Sequence, residues 1–389
     1  MKTQVQPIQF DFEETALLYE RLHQFPDASN EERATAGRLK QYLSDFRPTR
    51  LVDNVGGHGV IAEWQGPLPG PTVMVRCTMD AQRIQENSDL PFASINEGIA
   101  HLSGSDGQMA IVAGLAQYLG ENPPEKGAVA LLFQPAKETA EGAMRVVLDD
   151  KIHSSKPDYI IGFQNVPGAP LGTVLFREGV ICSGSKGVKV QLEGSPASTA
   201  NADDGIDPTA GMIRMMEQIQ DLAEEKNYDA YVNARVVSNE LISAGFHSLP
   251  YRADVRASLR GFKKRELDKI AKRVVDQAQI IGQIHQLKVG VSWHDAFEPV
   301  VNAEESGQLI IDSCQNLEVP IELTNEPFKW SDDFGVYLKK YEGIFFGIGS
   351  GLEVPGLHRP DYAFPEDLIP QASNLLIELI QRAQVPYSS

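Results

Sequence analysis

The chain has 389 residues, 42% hydrophobic and 23% charged, with no low-complexity tract, which is an ordinary globular composition long enough for two domains. A formal net charge of -18, spread along the sequence, disfavours non-specific attraction to nucleic acid or to anionic lipid. Three cysteines, Cys77, Cys182 and Cys314, are odd in number and lack Cys-x-x-Cys spacing, which argues against a disulfide framework or a cysteine zinc site and leaves buried thiols.

The first residues carry no basic stretch followed by an apolar core, and no later run has the length of a membrane helix, so a cytoplasmic location is expected. Residues 13 to 24 and 31 to 46 place apolar side chains at helical spacing, with Asn30 as the expected cap of the second helix. Apolar runs at 72–75, 128–133 and 159–163 read as strands, with a helix over 107–119 between the first two. This alternation predicts a largely parallel sheet covered on both faces. From Gly187 the pattern changes to strand 188–192, helix 208–224, strands 230–237 and 253–259, helix 264–282 and strand 287–293. That β-α-β-β-α-β order is ferredoxin-like. Helix and strand signals at 304–317 and 343–348 then resume the first sheet, so the expected fold class is α/β with an inserted α+β domain. The expected boundaries are 1–186 with 296–389 for the first domain and 187–295 for the insertion.

A set of segments runs through nearly the whole chain in order: Leu22-His23-Gln24-Phe25-Pro26 with Ser29 and Glu32, Gly56-Gly57-His58-Gly59-Val60, and Arg76-Cys77-Thr78-Met79-Asp80-Ala81. They continue with His101-Leu102-Ser103-Gly104-Ser105-Asp106-Gly107-Gln108, Phe133-Gln134-Pro135-Ala136-Lys137-Glu138, Gly162-Phe163-Gln164, Ser331-Asp332-Asp333-Phe334 and Leu357-His358-Arg359-Pro360. Together they resemble the M20 amidohydrolases, the family of aminoacylase, auxin-conjugate hydrolase and hippurate hydrolase. The resemblance implies a zinc-peptidase-like α/β domain interrupted by a ferredoxin-like lid, a cleft between the two that takes an N-acyl amino acid or related small amide, and a homodimer through the lid.

Active members of that family look like His-Ala-Cys-Gly-His-Asp-x-His, then Phe-Gln-Pro-Ala-Glu-Glu, then a His after the next strand and another near the carboxyl terminus. A two-metal site needs such anionic and imidazole ligands to hold a nucleophilic water, with a carboxylate to take its proton. Here the former metal positions are Ser103, Ser105, Glu138, Gln164 and His358, the following histidine is Gln108, and the general base is Lys137. Serine hydroxyls and a glutamine amide are poor transition-metal ligands, and an ammonium repels a divalent ion. Losses continue in the lid, where Gly-x-His-Ala-Ser reads Gly194-Ser195-Pro196-Ala197-Ser198 and Asn-x-Ile-Pro reads His247-Ser248-Leu249-Pro250.

The reading that follows is an amidohydrolase-like protein with no bound metal, no other cofactor and no working dinuclear centre, contacting its ligand through His101, Asp106, Gln108, Gln164 and His247. Lys137 has two readings. It is a structural cation offsetting Asp80, Asp106, Glu138 and Asp332, or it is a base for Ser103 or Ser105 in metal-free hydrolysis or acyl transfer. His358 is either an acid-base group or a pocket wall, and His101 is open to the same two roles. A binding or regulatory protein, and a single ion held by Glu138, His358 and an aspartate, are the remaining alternatives.

Overall fold

The computed structural model describes residues 11–224 and 228–384. The chain forms two compact units, one of residues 1–181, 301–326 and 333–389, the other of residues 182–300 and 327–332. It opens with helices α1 (Phe12–Gln24) and α2 (Arg33–Ser44), followed by strands β1 (Arg50–Val55), β2 (Gly59–Gln65) and β3 (Leu68–Thr78). Helix α3 (Ser105–Glu121) leads to β4 (Lys126–Gln134), β5 (Tyr159–Val166) and β6 (Val174–Phe176). The chain leaves this unit along β7 (Gly179–Cys182).

The second unit contains β8 (Gly184–Glu193), β9 (Val232–Ile242), β10 (Arg252–Gly261) and β11 (Lys288–Phe297). The helices Thr209–Glu224 and Lys264–His285 fall after β8 and after β10. All pairings are antiparallel in the order β11-β8-β10-β9, which is the ferredoxin-like arrangement. The chain returns through β12 (Val300–Asn302) to β13 (Ile321–Leu323) and β14 (Glu342–Gly349).

The sheet of the first unit has the order β1-β2-β4-β3-β5-β14-β6-β13. It is mixed, which corrects the expectation of a largely parallel sheet. The central run β4-β3-β5-β14 is parallel, but β1, β2 and β4 pair antiparallel and β14 meets β6 antiparallel. The central strands are buried on both faces, which is why they read as continuous apolar runs. Val73, Val75 and Cys77 of β3 pack in one core with α3 residues such as Ile111 and Leu115 and with the last helix, Leu368–Ala383.

The exception inside that core is Arg76. Its guanidinium forms an ion pair with Asp333, donates to Gln134 Oε1 at 2.8 Å and lies over the Phe334 ring. Gln134 Nε2 and the Ala143 amide also donate to Asp333, at 2.7 and 3.0 Å. A charge this deep is tolerated because its partners satisfy it, and removing one partner of such a pair typically costs about 3–5 kcal/mol.

Candidate functional site

The carboxyl ends of β3, β4 and β5 converge, which is where open α/β sheets place their functional groups. Thr78 stands beside Gln134 in the parallel ladder, and the Met79 amide donates to the Gln134 carbonyl. Beyond these ends the chain continues as Met79-Asp80 from β3, Pro135-Ala136-Lys137-Glu138 from β4, and within β5 as Gln164-Asn165. Ser103 and Ser105 enter from the turn before α3. Between them Gly104 has φ 81°, and a Cβ there would lie 2.6 Å from the Asn165 side chain, so the turn requires glycine.

These pieces form one hydrogen-bonded cluster. Ser105 Oγ lies 3.1 Å from both Thr78 Oγ1 and Ser103 Oγ. The Gln82 amide nitrogen donates to Ser103 Oγ and to Glu138 Oε1, each at 2.9 Å, while its oxygen accepts from the Leu102 amide. Gln164 Nε2 donates to the Ser103 carbonyl at 3.0 Å, and Gln108 donates to Gln164 Oε1 and Asn165 Oδ1. Asn165 in turn donates to the Tyr362 hydroxyl at 2.6 Å. Ser103, Ser105, Gln108 and Gln164 are all buried.

The charged part begins where Lys137 Nζ donates to Glu138 Oε1 at 2.9 Å. Burial opposes ionisation of Glu138, but the Lys137 ammonium and the nearby His358 outweigh it and hold its carboxyl below the usual range. Asp80 behaves in the opposite way: full burial, then the neighbouring Glu138, push its carboxyl up to about 7. Both of its oxygens accept, from the Lys137 and Glu138 amides at 3.1 and 2.8 Å and from Ser29 Oγ at 2.6 Å. The loop is itself constrained. Ala136 takes φ 52°, an uncommon conformation for an L-residue, and its amide donates to the buried Glu32. His358 also has positive φ, at 66°; its amide is fixed to the Leu102 carbonyl at 2.6 Å and its side chain is exposed.

His101 and Asp106 lie in an adjoining buried group. Asp106 Oδ2 is 2.6 Å from His23 Nδ1, and Glu86 Oε1 is 3.0 Å from His23 Nε2. Burial disfavours the imidazolium, but its hydrogen bonds to the two carboxylates raise His23 to about 10. His101 is fully buried and pushed down to about 4 by desolvation. His247 belongs to the second unit, exposed on the loop between β9 and β10, where its carbonyl accepts from the Thr199 amide.

Gln82 was not among the residues singled out from sequence, although it ties Ser103 to Glu138. No motif marks a lone glutamine two residues past Asp80; its role exists only because three loops meet. Ser29 and Glu32 appeared there only as parts of a segment, and the structure makes them supports of Asp80 and Ala136. Among the described residues no group of three or more His, Cys, Asp or Glu side chains is arranged to hold a metal ion.

A mixed α/β sheet of this kind matches the fold of solved M20 hydrolases, and sequence comparison agrees. The family model described as Peptidase family M20/M25/M40 matches residues 74–382, and the chain belongs to that family. It is 29% identical over 367 residues to an N-acetyl-L-cysteine deacetylase of Bacillus subtilis, covering 93% of this chain and 86% of that one. It is 26% identical over 345 residues to an N-acetyldiaminopimelate deacetylase of Lactobacillus helveticus, covering 87% and 89%. Among solved structures, a dinuclear metal-binding M20 peptidase of Bacillus subtilis superposes with a TM-score of 0.77 at 24% identity, covering 96% of this chain and 98% of that one.

Proposed function

We propose that this M20 protein binds an N-acyl amino acid or a related small amide at the Ser103–Lys137–Glu138 cluster without a working dinuclear metal centre. The observation that carries the reading is the 2.9 Å contact between Lys137 Nζ and Glu138 Oε1. A cation built into the chain already neutralises the carboxylate, which also accepts from Gln82. The other donors at the former metal positions are two serine hydroxyls already bonded to neighbours, a glutamine amide and His358. That set does not fit a pair of transition-metal ions. The side chains of Lys137, Glu138 and His358 are the most accessible of the group, which supports their role as the first contacts of a ligand.

A second reading draws on the Thr78–Ser105–Ser103 hydroxyl chain, which leads through Gln82 to Glu138 and Lys137. In that reading one serine is an acyl acceptor activated by the charged pair. A binding or regulatory protein is the third. Assay of the purified protein against a panel of N-acyl amino acids, with and without chelator, separates the second reading from the other two. Binding without turnover supports the first and third readings, chelator-insensitive turnover supports the second, and turnover abolished by chelator contradicts all three. The homologues suggest a small-molecule ligand, and a homodimer through the second unit and a cytoplasmic location remain part of the proposal. No helix among the described residues is long and apolar enough to cross a membrane.

A further inference from the structure

The second unit carries a charge pattern independent of the cluster above. Val188, Val190, Val255 and Leu259 face the helices Thr209–Glu224 and Lys264–His285 in one core. The two-residue period of a strand therefore sends Lys189, Arg256 and Ser258 to the opposite, helix-free face, together with Arg235 of β9. On that face Arg256 stands directly opposite Lys189, and Ser258 stands opposite Arg235.

Like charges opposed across strands cost stability, and a chain of net charge -18 has carboxylates in excess to offset them. It offsets only part of this patch. Asp254 accepts from Lys189 Nζ at 2.9 Å and takes the Arg252 guanidinium through both oxygens, at 3.0 and 2.8 Å. Those contacts occupy Asp254. The side chains of Arg235 and Arg256 are exposed and make no hydrogen bond or ion pair among the described residues.

The floor between the two guanidinium groups is low. Gly187 and Ser258 face each other across β8 and β10, Ser238 is opposite Arg256, and Ser292 is opposite Lys189. The patch is also short, since one end is closed by Glu240 opposite Asp254 and by Glu193 opposite Arg252. A long polyanion would run into those carboxylates. Arg235 and Arg256 stand on either side of the β9 bulge that skips Val237, Arg235 opposite Ser258 and Ser238 opposite Arg256, and each guanidinium is a planar fork suited to a carboxylate or a phosphoryl group.

We propose that this sheet face is a binding site for a compact dianion, a small molecule carrying two carboxylates or one phosphoryl group, held between Arg235 and Arg256 over the Gly187–Ser258 floor. This does not rest on the function proposed for the first unit. The test is calorimetric titration of the full-length protein with glutarate, inorganic phosphate and acetate, on the parent and on Arg235→Gln, Arg256→Gln, the double variant and the control Arg214→Gln, with melting curves confirming that each is folded. One of the two dianions should bind once per chain at least about tenfold more tightly than acetate, and glutarate against phosphate tells which chemistry the site takes. Each arginine variant should lose about tenfold or more in affinity, the worth of one charge-assisted contact, while Arg214→Gln matches the parent. Absence of binding by both dianions, acetate binding as well as either, or a double variant that binds like the parent would each overturn the proposal.

Discussion

Lys137 Nζ lies 2.9 Å from Glu138 Oε1, so a fixed side-chain cation stands on the one carboxylate retained among the positions where active relatives are expected to ligate metal. The contact follows from adjacent residues on the strained loop after β4, with Ala136 at φ 52° turning both backbone amides onto Asp80.

Removing that cation leaves Glu138 beside Asp80, with Gln82 and His358 to steady it. Lys137→Met is expected to lower stability by about 2 kcal/mol, below the 3–5 kcal/mol typical of fully buried pairs because Glu138 keeps some solvent. Lys137→Glu should be worse, since it adds a third carboxylate. Chemical denaturation of both variants is the check, and melts matching the parent would show that Lys137 offsets nothing.

The buried histidines predict a pH profile with two sides. His23 has a folded value of about 10, above its unfolded value of about 6.5, so its contribution is complete below about pH 6.5 and is lost as pH rises toward 10. His101 is held down to about 4. Between about pH 6.5 and 4 the unfolded chain takes a proton that the folded chain refuses, and stability falls as pH drops. Asp80, raised to about 7, acts oppositely between about pH 4 and 7 by favouring the folded state on the acid side. His101→Leu should therefore flatten or reverse the acid slope, and His23→Leu should remove the alkaline one. Denaturant midpoints across pH 4 to 10 give both slopes directly.

Gly104→Ala should cost about 2 kcal/mol or more, because φ 81° disfavours any side chain and the added methyl meets Asn165. The same change displaces Ser103 and Ser105. It is expected to weaken ligand binding along with stability, which a conservative surface variant such as Arg214→Gln would not do.

Replacing Ser103 by Cys, Ser105 by His, Lys137 by Glu and Gln164 by His rebuilds the ligand and base set of active relatives beside Glu138 and His358. Single replacements are expected to bind no metal, because each leaves too few donors, and all but Lys137→Glu also leave the ammonium in place. The fourfold variant should bind metal but hydrolyse poorly, since Pro196 and His247 remain unrepaired. Titration with zinc or manganese measures the gain. A folded fourfold variant that binds neither ion would mean that the backbone around the site has moved.

The central strands were legible because burial on both faces turns them into apolar runs, and the β-α-β-β-α-β order of the second unit is regular in its periods. The three-residue strands β6 and β13 offer too few residues for a period, and β1 is half-buried and polar. The last helix, Leu368–Ala383, follows Asp367 and has proline in its first turn, a start signal of the same kind as Asn30, although the Asp367 side chain makes no cap hydrogen bond. Asn30 itself is not the cap of α2. It sits at φ 69° with its amide on Glu32 Oε1, and Glu32 occupies the cap position without its side chain capping α2. In the site, Ser103, Ser105, Lys137 and Gln164 stood out because each replaces a chemically distinct residue in a recognisable segment. Gln82 and the His23–Glu86 contact did not, because their partners lie 20 to 63 residues away and only the folded loops bring them together.

The most direct test of the metal-free reading is the metal content and metal affinity of the parent protein. After purification and dialysis, elemental analysis should find no stoichiometric zinc, manganese, nickel or cobalt, and calorimetric titration with zinc or manganese should show no site at the Ser103–Glu138 cluster. Two transition-metal ions per chain, lost on Glu138→Gln or His358→Ala, would contradict the account.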